Sequence, residues 1–147
     1  MPTPPARPLA TAGYSGTPLA KKLGIKPRSR VFVENEPAHF RKLLEPLPPD
    51  VTFLRQPKGQ VNLIHLFTRS AAELAKKLPA FLKQIPDDGV IWISWPKKAA
   101  KISTDMTEDV VRRVALPLGL VDVKVCAVDE IWSGLKLVIR VENRNGR

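Results

Sequence analysis

Two stretches constrain the fold of this chain more than anything else in it: VNLIHLF at 61–67 and VIWISW at 90–95. Each is an almost unbroken apolar run without alternation, the pattern of a strand covered on both faces. Between them Leu74, Leu78, Phe81, Leu82 and Ile85 recur at helical spacing, behind Ser70 and Glu73 in the positions of a capping box. Two doubly buried strands joined by an amphipathic helix predict a parallel crossover unit. Pro79 interrupts the helical pattern and predicts a kink.

The same alternation extends to both sides. RVFVE at 30–34 predicts a strand, Pro37 opens a helix to about Leu47, and 51–55 gives a second short strand between proline-bearing turns. Thr107 is placed to cap a helix from Glu108 to about Leu118, which Gly119 stops. VDVKVCAV at 121–128 and LKLVIRV at 135–141, joined by residues 129–134, predict an antiparallel hairpin. Ahead of these, Thr17 is placed to cap a short helix that Gly24 ends. The predicted class is α/β: a three-layer, Rossmann-like, mostly parallel six-stranded sheet with helices on both faces. Residues 1–13, with four of the fifteen prolines, read as a disordered leader, and 14–147 as a single domain.

The closing helix and reversed hairpin resemble the topology of Rossmann-type methyltransferases that use S-adenosylmethionine. That resemblance implies the strand order 2-1-3-4-6-5, with strand 6 antiparallel, over about residues 29–142. More specific stretches are YSGTPLAKKLGIK (14–26), SWPKK (94–98), TDMTEDVVR (104–112) and VDVKVCAVDEIWSGLKLV (121–138). Together they resemble a family of small bacterial proteins of unknown function, which implies a bacterial origin and no particular reaction.

Charge is the next constraint. Twenty-four Lys and Arg face 14 Asp and Glu, a net +10. No acid precedes Glu34, whereas Arg7, Lys21, Lys22, Lys26, Arg28 and Arg30 do. Further clusters are Lys97, Lys98 and Lys101, then Arg140, Arg144 and Arg147. Such a surface attracts nucleic acid, anionic ligands or acidic proteins. The single cysteine, Cys126, excludes an intrachain disulfide and fits a reducing cytoplasm. No apolar run is long enough for a transmembrane helix.

Tests for an enzyme at sequence level come out negative. A nucleotide-binding turn needs glycines after the first strand, but this one reads Glu34-Asn35-Glu36-Pro37. The second strand ends in Arg55 where an acid is expected to hold ribose hydroxyls. Cys126 sits in an apolar strand as a packing residue, and His65 reads as a core histidine. His39 reads equally as surface or functional, and Asp129 with Glu130 as a solvated turn. No catalytic residue, metal site or cofactor is expected.

Ligands of open parallel sheets bind beyond the carboxyl ends of the strands. Those ends, with the hairpin link, nominate Arg55, Arg69, Trp95, Lys97, Lys98, Trp132 and Lys136 as ligand-binding residues. An indole beside a cation can stack a base while the cation meets a phosphate. The alternative for both tryptophans is that they close the core. The sequence places first a non-catalytic Rossmann-like binding protein for an anionic partner, either nucleic acid or a nucleotide-like ligand. Its alternatives are a divergent S-adenosylmethionine-dependent methyltransferase, in which Glu34 would serve the cofactor, and a protein–protein interaction module.

Overall fold

The computed structural model describes residues 17–145; the predicted leader and Tyr14-Ser15-Gly16 lie outside them. β1 (Arg30–Glu34), β2 (Thr52–Leu54), β3 (Leu63–Phe67), β4 (Val90–Pro96), β5 (Leu120–Ala127) and β6 (Trp132–Ile139) form one sheet. Its order is β2-β1-β3-β4-β6-β5. The pairs β1–β2, β1–β3 and β3–β4 are parallel, and β6 runs antiparallel to both β4 and β5. The six-stranded architecture implied by the sequence is therefore present, reversed strand included.

Alternation along each strand divides two apolar layers. On one face Phe32, Ile64, Leu66, Ile91, Ile93, Trp95, Leu135 and Leu137 pack against two helices, α3 (Ala71–Leu82) and α4 (Glu108–Ala115). On the other face Val31, Leu63, Phe67, Trp92 and Cys126 meet α1 (Leu19–Leu23) and α2 (Phe40–Leu43). The central strand β3 is buried at all five positions, as its unbroken apolar run requires. The Trp92 indole donates to the Leu23 carbonyl at 2.7 Å and so anchors α1 on the middle of the sheet.

Local departures from the expected elements have identifiable causes. Thr17 makes no cap to α1, whose N-cap position is Pro18; Gly24 does end it, at φ 89°. α2 has four residues instead of about ten, because Pro46, Pro48 and Pro49 crowd the chain just beyond it and offer no N–H to continue a helix. α3, by contrast, runs through Pro79. α4 ends at Ala115, followed by a 3-10 turn at Leu116–Leu118 and Gly119 at φ 89°. β6 starts at Trp132, three residues earlier than expected, because Asp129 Oδ1 accepts the Ile131 and Trp132 amides at 2.8 and 2.7 Å and tightens the link. No described helix is long and apolar enough to cross a membrane.

Candidate functional site

At the carboxyl edge the chain after β1 turns sharply through Asn35, which adopts a left-handed conformation at φ 59°. Asparagine is among the few side chains that tolerate that region, so it does here what glycine was expected to do. Its Nδ2 donates to the Phe67 carbonyl at 2.9 Å and to the Glu73 carboxylate at 3.2 Å. The turn of β1 is thereby tied to the end of β3 and the first turn of α3.

Glu73 collects the charges of this corner. It accepts from Thr68 Oγ1, Asn35 and Lys77, and Lys77 also bonds Glu34. Burial alone would raise the Glu73 carboxyl, but the bonds from Thr68, Lys77 and Asn35 outweigh it and hold the group below its ordinary range. The bonds to Glu34 and Glu73 raise the Lys77 ammonium. Half of the predicted capping box is realised: Ser70 Oγ accepts the Glu73 amide at 3.1 Å. The Glu73 side chain does not return to Ser70, whose amide goes to Thr68 Oγ1 at 3.0 Å.

The loop before α4 closes over this corner. Thr104 Oγ1 donates to the Arg69 carbonyl at 2.7 Å, and Asp105 Oδ1 accepts the Ala71 amide at 2.8 Å. Between loop and sheet lies a cleft of about 830 Å³, lined by Asn35, Phe67, Thr68, Arg69, Ser70, Glu73, Ser103, Thr104, Asp105 and Trp132. It sits at the ends of β1 and β3, where the strand order reverses, the usual ligand crevice of an open α/β sheet. The Phe67 and Trp132 rings meet edge to face there, 5.2 Å apart.

Beside Trp132 the fold joins two residues that sequence reading left apart. His39 Nε2 lies 3.1 Å from Asp129 Oδ2, and Asp129 is buried while His39 is exposed. A carboxylate only accepts, so Nε2 donates and Nδ1 is left as the basic nitrogen. The second histidine has no such access. His65 is fully buried between Phe40, Phe67 and Trp92, with Nε2 2.7 Å from Ser94 Oγ, and burial lowers its pKa to about 3.

Of the seven nominated ligand residues, Arg69 and Trp132 line the cleft together. Arg55 follows β2 and is exposed at the same edge, and Lys97 and Lys98 follow β4, where the Lys97 amide donates to the Ile131 carbonyl at 2.7 Å. Trp95 is core, packed with the α3 and α4 layer. Lys136 lies at mid-sheet, opposite Trp92. Asn35 and Thr68 stand at strand ends without being among the seven nominated, and sequence reading missed Glu73 and Asp105 as cleft residues, and the His39–Asp129 pair. The strand-end rule that nominated Arg69 pointed toward this corner, as did the Ser70–Glu73 spacing. Among the described residues no three His, Cys, Asp or Glu side chains are grouped to hold a metal.

No protein-family model and no curated protein matches the chain. Solved structures do. A methyltransferase from Aquifex aeolicus dependent on S-adenosylmethionine superposes with TM-score 0.56 at 16% identity, over 83% of this chain and 88% of that one. Magnesium protoporphyrin IX methyltransferase from Synechocystis, solved with S-adenosylmethionine bound, gives 0.54 at 9%, over 83% and 74%. LepI in complex with S-adenosylmethionine gives 0.51 at 14%, over 83% of this chain but 39% of that one. At these identities the likeness fixes the fold, and the chemistry has to be argued from the cleft.

These findings overturn the reading placed first by the sequence, a non-catalytic binding protein for an anionic partner: the solved structures that share its fold include methyltransferases. The physical grounds of that reading also change. The missing glycine after β1 is answered by Asn35 in the left-handed conformation. Of the nominated cations, Lys136 alone lies away from the carboxyl edge, at mid-sheet opposite Trp92.

Proposed function

We propose that this chain is a divergent S-adenosylmethionine-dependent methyltransferase that binds its cofactor in the cleft between Asn35, Arg69, Glu73, Asp105 and Trp132. The observation that carries the proposal is the position of that cleft: it opens at the reversal of strand order, in a sheet shared with cofactor-bound methyltransferase structures. Its lining suits a ligand with a zwitterionic end and an aromatic end. Arg69 would meet the carboxylate, Glu73 and Asp105 the ammonium, and Phe67 with Trp132 the adenine ring. Arg55, where a ribose-binding acid is expected, is what makes the chain divergent, and Glu34, bonded to Lys77, does not line the cleft.

The bound cofactor would supply a methyl group on a positively charged sulfur, which is an electrophile. The protein's part is to orient and to manage protons. Glu73, held ionised by its three partners, places negative charge in the cleft. His39, oriented by Asp129, offers Nδ1 to take a proton from the incoming nucleophile, a role worth about 10²- to 10⁴-fold in rate. The net charge of +10 supports nucleic acid as the class of acceptor, and the lone buried cysteine supports a cytoplasmic location.

A thermal-shift comparison tests the cofactor assignment. S-adenosylhomocysteine at a hundredfold excess over its dissociation constant is expected to stabilise the chain by about 2.7 kcal/mol, with ATP giving no comparable rise. An unchanged melting temperature at millimolar S-adenosylhomocysteine contradicts the proposal.

A further inference from the structure

The sheet face under α1 carries an arrangement of charge that folding alone disfavours. Lys124 and Lys136 are direct cross-strand partners on β5 and β6, and like charges so placed destabilise a strand pair. Lys136 is half-buried and reaches past Gly24, where a Cβ would stand 3.7 Å from its Nζ. Burial pushes the Lys136 ammonium below its ordinary range, and Lys124 and Lys26 push it the same way.

Among the described residues no carboxylate offsets the three. α1 and the chain from it to Ser29 contain no acid. Asp122 of β5 is held by Arg112 at 3.0 Å on the opposite face, and Asp129 is occupied by His39 and backbone amides at the carboxyl edge. Glu130 lies in the exposed link at that same edge. The Lys22 carbonyl, 3.4 Å from Lys124 Nζ, accounts for Lys124 but not for Lys136 or Lys26. Among the described residues none of these three lysines makes an ion pair with a carboxylate.

A half-buried ammonium with cationic neighbours is retained at a cost to stability, which points to an anion as its partner. We propose that Lys26, Lys124 and Lys136 form a phosphate-binding site on the α1 side of the edge hairpin, docking the backbone of a nucleic acid. Lys26 and Lys124 are exposed, and exposed Lys21 and Arg28 flank them in sequence along α1 and its following loop, so the surface is open to an extended polyanion. This site is separate from the cofactor cleft and rests on the assignment of a nucleic-acid partner, not on the cofactor.

The test uses the full chain with a fluorescent short single-stranded RNA, a short DNA duplex and inorganic pyrophosphate, at about 50 to 200 mM salt. Binding of at least one nucleic acid is expected to weaken linearly on a log–log salt plot. K136M is expected to lower the magnitude of that slope by about 1 and weaken binding, while melting at a higher temperature than the parent. K26Q, at an exposed position, is expected to lower the slope similarly without the rise in melting temperature. The shift given by S-adenosylhomocysteine should be the same in parent and variants, so the cofactor reading can fail or stand separately. No nucleic-acid binding at the lowest salt, or binding that K136M and K26Q leave unchanged, overturns the proposal. Stabilisation by pyrophosphate alone overturns the nucleic-acid assignment.

Discussion

Asn35 and His65 show how much a single side chain can carry in this sheet. Asn35 combines a left-handed backbone with two side-chain bonds that join β1 to β3 and α3. Replacing it by alanine keeps neither advantage, and N35A is expected to cost about 1–3 kcal/mol, read by denaturant unfolding. A glycine there would spare the backbone and lose only the bonds, so N35G should fall between N35A and the parent. His65 carries a different prediction. Its pKa is about 3 in the folded chain against 6.5 for an imidazole in water, so between those values the unfolded state binds the extra proton. Stability is therefore full above about pH 6.5 and declines as pH falls toward 3, by up to about 1.4 kcal/mol per pH unit from this group. H65L removes that dependence: its stability should fall less steeply than the parent's over the same range. Equal slopes in the two proteins would show that His65 is not buried neutral.

At the scale of elements, the N-terminus of α3 is where fold and cleft meet. Ser70 caps the helix, and the Thr68, Glu73 and Asp105 side chains fix the turn that presents Arg69. S70A is expected to destabilise the chain by about 1 kcal/mol and to weaken S-adenosylhomocysteine binding, measured by calorimetry. Loss of stability with unchanged binding would separate the cap from the cleft. The helix itself was legible, because Leu74, Leu78 and Phe81 repeat at its period and Ser70 marks its start. The doubly buried strands were legible for the same reason: hydrophobic pattern is local information. The cleft was not. Asn35, Glu73 and Asp105 are far apart in the chain and ordinary in composition, and converge only once β1, β3 and the α4 loop are assembled. His39 and Asp129, 90 residues apart, converge for the same reason. A strand beginning at Leu135 puts Lys136 at the edge; with β6 starting at Trp132 it lies at mid-sheet.

For the molecule as a whole, the strand order matters more than any one residue, because it decides where the crevice opens. Two recesses mark the two ends of the sheet: the cleft at the carboxyl edge, and another lined by Gln60, Lys83, Asp87, Asn143 and Arg144 among others. The first is the better ligand crevice, since it gathers charged side chains of both signs and two aromatic rings at the reversal of strand order. The measurement that bears most directly on this is a map of backbone amide shifts as S-adenosylhomocysteine is added to the isotope-labelled chain. Changes are expected to concentrate at Asn35, Phe67, Thr68, Arg69, Ser70, Asp105 and Trp132, with Gln60, Asn143 and Arg144 unmoved. Changes centred on Gln60, Asn143 and Arg144, or none at a saturating concentration, would contradict it.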